Sequence, residues 1–266
     1  MRVAVLDLYE GEANEGMRGI RQIIEQFRQE VSEKVEYEVF DVRTRNEIAD
    51  LNFDAYISSG GPGSPLASEG SAWEQSYFGL MNAILQHNRN NPFKRKHVFL
   101  ICHSLQVFCR YYGYAKVTKR KSTAFGIMPI HLTKEGRKER LFKDLEDTFY
   151  AVDSRDYQIV QPNEGKIWSG GGNILAIEKD RPFIALERAV MAIRFNEAII
   201  GTQFHPEADA DGTYRYLVRD DKKKLVVDKH GEKKYNQMLM MVNEPDKIKH
   251  TYKTILPSFL YAVLNQ

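Results

Sequence analysis

Apolar and polar positions change their period several times along this 266-residue chain. Residues 3–8, Val-Ala-Val-Leu-Asp-Leu, form a short apolar run that predicts a buried first strand. Residues 14–30 follow with Met17, Ile20, Ile23, Ile24 and Phe27 at helical spacing. Residues 35–39 alternate like a half-exposed strand closed by Asp41-Val42, and residues 54–58 predict a third strand. A helix is expected over 72–87, then a fourth strand at Val98-Phe99-Leu100-Ile101. Strands alternating with helices imply a parallel sheet covered on both faces. Beyond Gly113 the runs shorten and grow richer in β-branched and aromatic residues, at 123–133, 149–160, 173–178, 184–194 and 198–204. Gly126, Gly136, Asn163-Glu164-Gly165 and Gly170-Gly171-Gly172 punctuate them, which predicts an antiparallel extension of the sheet. Residues 209–245 are highly charged, with a Met-rich piece at 238–241, and read either as a helical insertion beside the site or as a surface excursion. Residues 246–266 read as a terminal helix, or as two helices broken near Pro257, because an interior proline loses a hydrogen bond and clashes. With no internal repeat and no low-complexity linker, the expectation is a single α/β domain over 1–266 carrying a charged helical insertion at about 209–245.

Composition narrows the function classes. A hydrophobic content of 42% supplies a real core and argues against general disorder. The 38 basic and 36 acidic residues give a formal charge of +2, so no polyanion partner is implied. The basic clusters 94–96, 119–121 and 222–224 are short and lack interleaved aromatics, and read as solvated turns rather than a nucleic-acid surface. No apolar run approaches the ~18 residues needed to span a bilayer, and the early run is interrupted by Asp7 and Glu10. The two cysteines, Cys102 and Cys109, match neither a CxxC motif nor a secreted disulfide framework. A cytoplasmic protein without membrane attachment is expected.

The chemistry concentrates on residues 97–113, HVFLICHSLQVFCRYYG. The apolar strand reaches Cys102 and turns at once into a helical pattern of Leu105, Phe108, Cys109 and Tyr112. A thiol at such a junction sits near a helix N-terminus, where backbone N–H groups and the dipole favour the thiolate. The alternative is an inert buried cysteine. A nucleophile needs a base and a group to orient that base. Of the seven histidines, His87, His97, His131, His230 and His250 have no companion carboxylate in a suggestive setting. His205 ends an apolar strand, Pro206 stiffens the exit, and Glu207 lies two residues on, where its carboxylate can turn back to the imidazole. Glu207 also reads as a cap for the following segment. His103, adjacent to Cys102, points away from it on a tight turn and lends its backbone N–H.

Three separated motifs now stand in order: Gly60-Gly61-Pro62-Gly63-Ser64-Pro65, Cys102-His103-Ser104-Leu105-Gln106 and Gln203-Phe204-His205-Pro206-Glu207. Together they resemble the class I glutamine amidotransferases, and within them the amidotransferase domain associated with GMP synthase. The resemblance spans about residues 1–208. It implies a flavodoxin-like three-layer fold and a Cys-His-Glu triad of Cys102, His205 and Glu207. Cys102 would attack the side-chain amide of glutamine and release glutamate and ammonia through a thioester. The resemblance further implies an oxyanion hole from the N–H groups of Gly61 and His103, and substrate contacts from Gly60, Gly61, Gln106, Ser154 and Tyr157. No cofactor and no metal enter that chemistry. The chain carries no GxxxxGK[ST] loop, so ammonia would pass to a separate synthetase subunit or be released.

In the 153–157 segment that supplies Ser154 and Tyr157, Arg155 stands where several related enzymes have histidine, and two residues depart from the family pattern at the elbow. Leu100 and Ser104 stand where the elbow usually has glycine, two before and two after the cysteine. Ser104 is small and offers a helix N-cap. Leu100 implies either a repacked neighbour or a pocket of different shape. These departures and the charged insertion keep open a hydrolase of another γ-glutamyl amide or peptide. A non-catalytic regulatory subunit of the same fold is the third alternative.

Overall fold

Alternate residues of strand β1 (Arg2–Asp7) point to opposite faces and build two separate cores. Val3 and Val5 join Ile20, Ile23, Ile24 and Phe27 of helix α1 (Glu15–Glu30), whose first turn is capped by Asn14 accepting from the Met17 N–H. Ala4 and Leu6 join Tyr77, Phe78, Met81 and Ile84 of helix α2 (Ala72–Asn90). The structure is a computed structural model that describes residues 1–11, 14–183, 185–244 and 247–266, apart from the His230 side chain. Ile184, Pro245 and Asp246, at the edges of three expected segments, lie outside the described residues.

The remaining strands are β2 (Glu36–Asp41), β3 (Ala55–Ser58), β4 (His97–Ile101), β5 (Lys116–Leu132), β6 (Thr148–Val160), β7 (Asn173–Glu178), β8 (Val190–Arg194) and β9 (Ile199–Thr202). They form one sheet in the order β2-β1-β3-β4-β9-β8-β7-β5-β6. From β2 to β9 every pair is parallel, and from β9 to β6 every pair is antiparallel. The fold is therefore the expected α/β arrangement, a mostly parallel centre with an antiparallel extension. Helix α3 (His103–Tyr112) shares the α2 face, and a terminal helix, α8 (Ile248–Leu264), shares the α1 face. A short helix, α4 (Glu164–Ser169), caps itself with Asn163 where the sequence shows only turn punctuation. In the charged segment stand α5 (Ala210–Leu217), α6 (Asp220–His230) and α7 (Glu232–Val242). A third apolar cluster of Leu217, Val226, Tyr235, Met238 and Val242 seats them against Ile127 of β5.

The structure decides one open alternative and corrects two expectations. Pro257 does not break the terminal segment; α8 runs through it. Ile255, Leu256, Phe259 and Leu260 are buried on both sides of the proline, and Phe259 packs against Phe99 at 5.4 Å between ring centroids. Each such burial contributes about 1.5–3 kcal/mol. Their sum exceeds the roughly 3 kcal/mol cost of an interior proline. Secondly, the basic clusters Lys119-Arg120-Lys121 and Lys222-Lys223-Lys224 are not turns, because β5, which begins at Lys116, carries the first and α6 the second. Arg120 turns inward to Glu178 at 3.0 Å and Gln158 at 2.7 Å. Thirdly, the strand expected over 184–194 starts only at Val190. Among the described residues no helix is long and apolar enough to cross a membrane.

Leu100 is accommodated by its neighbour strand. It is fully buried in the α2–α3 core and pairs with Gly201 of β9. A Cβ at Gly201 would sit 2.7 Å from Leu105 Cδ1 and 3.0 Å from Leu100 Cβ. The bulk of Leu100 is therefore met by a glycine across the ladder, and its side chain faces the core rather than a ligand cavity. Gly201→Ala is expected to destabilise the protein by about 1–3 kcal/mol through overpacking. An unchanged urea midpoint would show that Leu100 is not held this way.

Candidate active site

The junction between β4 and α3 is a strained corner. Cys102 has φ 48° and ψ −98°, a region that non-glycine residues rarely occupy. Three contacts hold it there. The Cys102 N–H donates to the Thr202 carbonyl at 2.7 Å, and the Cys102 carbonyl accepts from the Gln106 N–H at 3.0 Å. Ser104 Oγ accepts from the Ile101 N–H at 2.8 Å and lies 2.9 Å from the Ser58 carbonyl. Ser104 is thus not an N-cap. Cys102 holds the cap position, and Ser104 stitches β3, β4 and α3 together beneath it.

His205 and Glu207 meet beside this corner. The His205 N–H donates to the Val152 carbonyl at 2.9 Å, which fastens the exit of β9 to β6. His205 Nδ1 lies 2.7 Å from Glu207 Oε1, with the carboxylate 1% exposed. Glu207 does not cap the following helix; Asp209 does, accepting from the Gly212 N–H at 2.6 Å. Burial works to lower the His205 pKa, but the Glu207 charge and the charge and hydrogen bonding of Cys102 raise it well above the ordinary 6.5. His205 is therefore set to hold a proton between a carboxylate and a thiol.

The other sequence candidates fall in several places. Gly61, His103, Gln106, Ser154 and Tyr157 line the same cavity as Cys102, His205 and Glu207. The Ser154 carbonyl is 4.0 Å from Cys102 Sγ. His103 begins α3, so its N–H is one of the orphan donors of a helix start. Its buried imidazole is held neutral: burial, then Arg43 and Arg110, bring its pKa down to about 3. Gly60 is not on the cavity wall. It lies beneath, where a Cβ would meet His205 Cε1 at 2.9 Å and the Tyr9 hydroxyl at 3.1 Å. Gln106 is engaged already, with Nε2 3.2 Å from the Tyr157 carbonyl and 3.2 Å from Gln203 Oε1. His87, His131 and His250 hydrogen-bond elsewhere, and His97 packs near Phe259.

Several site residues escape a reading by motif. Arg43 Nη1 donates to the Leu8 carbonyl at 3.1 Å and the Pro62 carbonyl at 2.7 Å, and so pins the glycine loop to the end of β1. Tyr9, at that same strand end, is half-buried; the burial of its hydroxyl and the charges of Glu207 and Cys102 push its pKa well up. Gly19 of α1 lets the helix close on the site, because a Cβ there would run into the Glu207 carbonyl. Arg155 is buried on the cavity wall, 2.8 Å from Asp153 Oδ1 and 3.4 Å from Glu178 Oε1. Arg43 and Gly19 act through partners distant in sequence. Tyr9 carried a signal as an aromatic just past the carboxyl end of a parallel strand, and Arg155 lies in the 153–157 segment that holds Ser154 and Tyr157.

The cavity holds about 1420 Å³ and extends from Cys102 outward between α1 and the α5–α6 segment. The sequence profile of the class-I glutamine amidotransferases matches residues 20–224. The chain belongs to that family. Its fold resembles a glutamine amidotransferase from Thermotoga maritima with a TM-score of 0.71 at 16% identity, covering 100% of this chain and 99% of that one. It resembles a putative GMP synthase subunit from Thermoplasma acidophilum at a TM-score of 0.56 and 16% identity, covering 100% and 97%. It also resembles the glutaminase domain of Trypanosoma brucei CTPS, crystallised with acivicin, at 0.57 and 14%, covering 100% and 94%. At these identities the likeness speaks to the fold. No curated protein matches the sequence.

The sign of the His205 shift yields a prediction. A histidine whose folded pKa is raised contributes stability that is fully present below the ordinary 6.5 and lost as pH rises through the folded value. Glu207→Gln removes the largest raising influence. The His205 imidazole should therefore titrate lower by NMR in the variant, and the variant should lose less stability above pH 6.5. A titration midpoint equal to that of the wild type would refute the pairing.

Proposed function

We propose that this amidotransferase-family protein hydrolyses the side-chain amide of glutamine to glutamate and ammonia. The observation that carries the reading is the corner itself: a thiol in strained backbone beside an imidazole that is 2.7 Å from a buried carboxylate, at one cavity wall. Cys102 Sγ attacks the amide carbon, and its proton passes to His205. The oxyanion is received by the backbone N–H groups of Gly61 and His103. The C–N bond then breaks as His205 returns the proton to the departing ammonia. Water, deprotonated by His205, hydrolyses the thioester and restores the thiol. Glu207 keeps the imidazole oriented and stabilises its charged form. Gln106, Ser154 and the backbone at Tyr157 form the wall facing the amino-acid end of the substrate.

The chain is read as one amidotransferase domain, with α5–α7 as an insertion that closes the outer side of the site. Ammonia passes to a separate acceptor, in keeping with a fold-mate described as part of a synthase. Both cysteines are free, which supports a reducing, cytoplasmic setting. One observation favours a second reading. A cavity of about 1420 Å³ exceeds what free glutamine needs and suits a larger γ-glutamyl amide or peptide.

Purified protein incubated with glutamine should release glutamate and ammonia, and Cys102→Ala should reduce the rate by roughly 10⁴-fold or more. Release from γ-glutamyl peptides but not from glutamine would select the second reading. No release from any of them, with Cys102 untouched by a glutamine-like electrophile, would overturn both.

A further inference from the structure

The nucleophile has a hydrogen-bond donor to which the motif assigns no role. Gln203 is wholly buried just past the end of β9, held by its N–H on the Met191 carbonyl at 2.7 Å. Its Nε2 lies 3.5 Å from Cys102 Sγ. The direction of this contact is fixed by its surroundings. The Tyr157 carbonyl can only accept, so the amide of Gln106 turns its nitrogen there. The same nitrogen donates its other hydrogen to Gln203 Oε1. With its oxygen occupied, Gln203 presents its NH₂ to the sulfur. A one-way relay runs from the Tyr157 carbonyl through Gln106 and Gln203 to Cys102.

We infer that Gln203 is a positioning residue: it holds the Cys102 sulfur as a thiolate aimed at the cavity, with its donor direction set by Gln106 and the Tyr157 carbonyl. The inference rests on reading Cys102 as the nucleophile. A thiolate accepts such a bond far better than a thiol, so the donor favours the reactive form. The charged and titratable groups around the sulfur are Tyr9 from the end of β1, His103 on α3, Arg155 from β6, and His205 with Glu207 behind it. Gln203 is neutral. Replacing it by methionine keeps the length of the side chain and leaves every one of those charges in place, and removes the donor to the sulfur together with the oxygen that accepts from Gln106.

The test is the rate of alkylation of Cys102 by iodoacetamide as a function of pH, with Cys102 and Cys109 separated by peptide mass mapping. In Gln203→Met the pH of half-maximal rate should rise by about one unit, a tenfold loss of thiolate at a given pH below it. Gln106→Met frees the Gln203 amide to turn, and should move the midpoint in the same direction by less. The double variant should shift no further than Gln203→Met alone, because the two act in series. A Gln203→Met midpoint equal to wild type overturns the inference. If that variant does not fold, an unmoved midpoint in Gln106→Met overturns it instead. Alkylation needs no turnover, so the two readings separate. A shifted midpoint without release from glutamine or γ-glutamyl compounds sinks the proposed activity and leaves the relay, whereas normal release without a shift sinks the relay alone.

Discussion

The site depends on one constraint, the left-handed backbone of Cys102. Such a conformation costs on the order of 1–3 kcal/mol and persists only where its surroundings over-determine it. Here the surroundings are the parallel ladder itself. β9 takes the Cys102 N–H through Thr202, and α3 starts on the Cys102 carbonyl. Ser104 ties the corner to β3. β9 ends at Thr202, and the residues after it are fastened by other strands: the Gln203 N–H donates to Met191 of β8 and the His205 N–H to Val152 of β6. The backbone that leads from the Cys102 corner to His205 is therefore bonded to the sheet at each of these steps rather than left to a free loop.

The two residues that break the family's elbow pattern show how such a corner tolerates change. Ser104 brings a hydroxyl from the first turn of α3 to a place where two strands converge, and the hydroxyl finds partners in both, Ile101 of β4 and Ser58 of β3. Leu100 brings bulk, and the space for it is found on the facing strand at Gly201. Neither residue lines the cavity. The elbow's requirement is for room and satisfied hydrogen bonds, and the room need not come from the residue that usually supplies it.

How much of this was legible in the sequence follows from how local each signal is. The parallel strands β1, β3 and β4 are short and largely apolar, and α1 has a clean amphipathic stripe with a capping asparagine, so their positions read directly. The grouping of Cys102 with His205 was readable because each ends an apolar strand, and parallel strands end together. Non-local compensation was not readable. Lys119-Arg120-Lys121 looks solvated until Glu178, 58 residues away, is brought beside Arg120. Pro257 looks like a breaker until Phe99 and the β4 core are placed under α8. Arg43 and Gly19 contact the site through partners far off in sequence, and nothing in their neighbours marks them. Gln203 stands inside a motif, but its contact with Cys102, 101 residues away, is not visible there.

The charged segment illustrates the same point with a functional edge. Its composition suggested a solvated excursion as readily as a wall. Yet α5 is tied to α1 by Arg18, which bonds Asp209 and Glu15, and by Arg215, 2.9 Å from Glu15. Apolar residues of α5–α7 meanwhile seat on β5. Partly exposed ion pairs of this kind contribute little each, about 0–1 kcal/mol, so the apolar seat carries most of the docking energy. What the ion pairs add is direction. Glu15 and Arg18 lie on the α1 turn next to Gly16 and Gly19, where the helix closes on Tyr9 and Glu207. The wall that gives the cavity its size is therefore anchored to the same helix that backs the carboxylate of the site. α5 also starts only three residues after Glu207, so helix and carboxylate are joined through the chain as well as through α1.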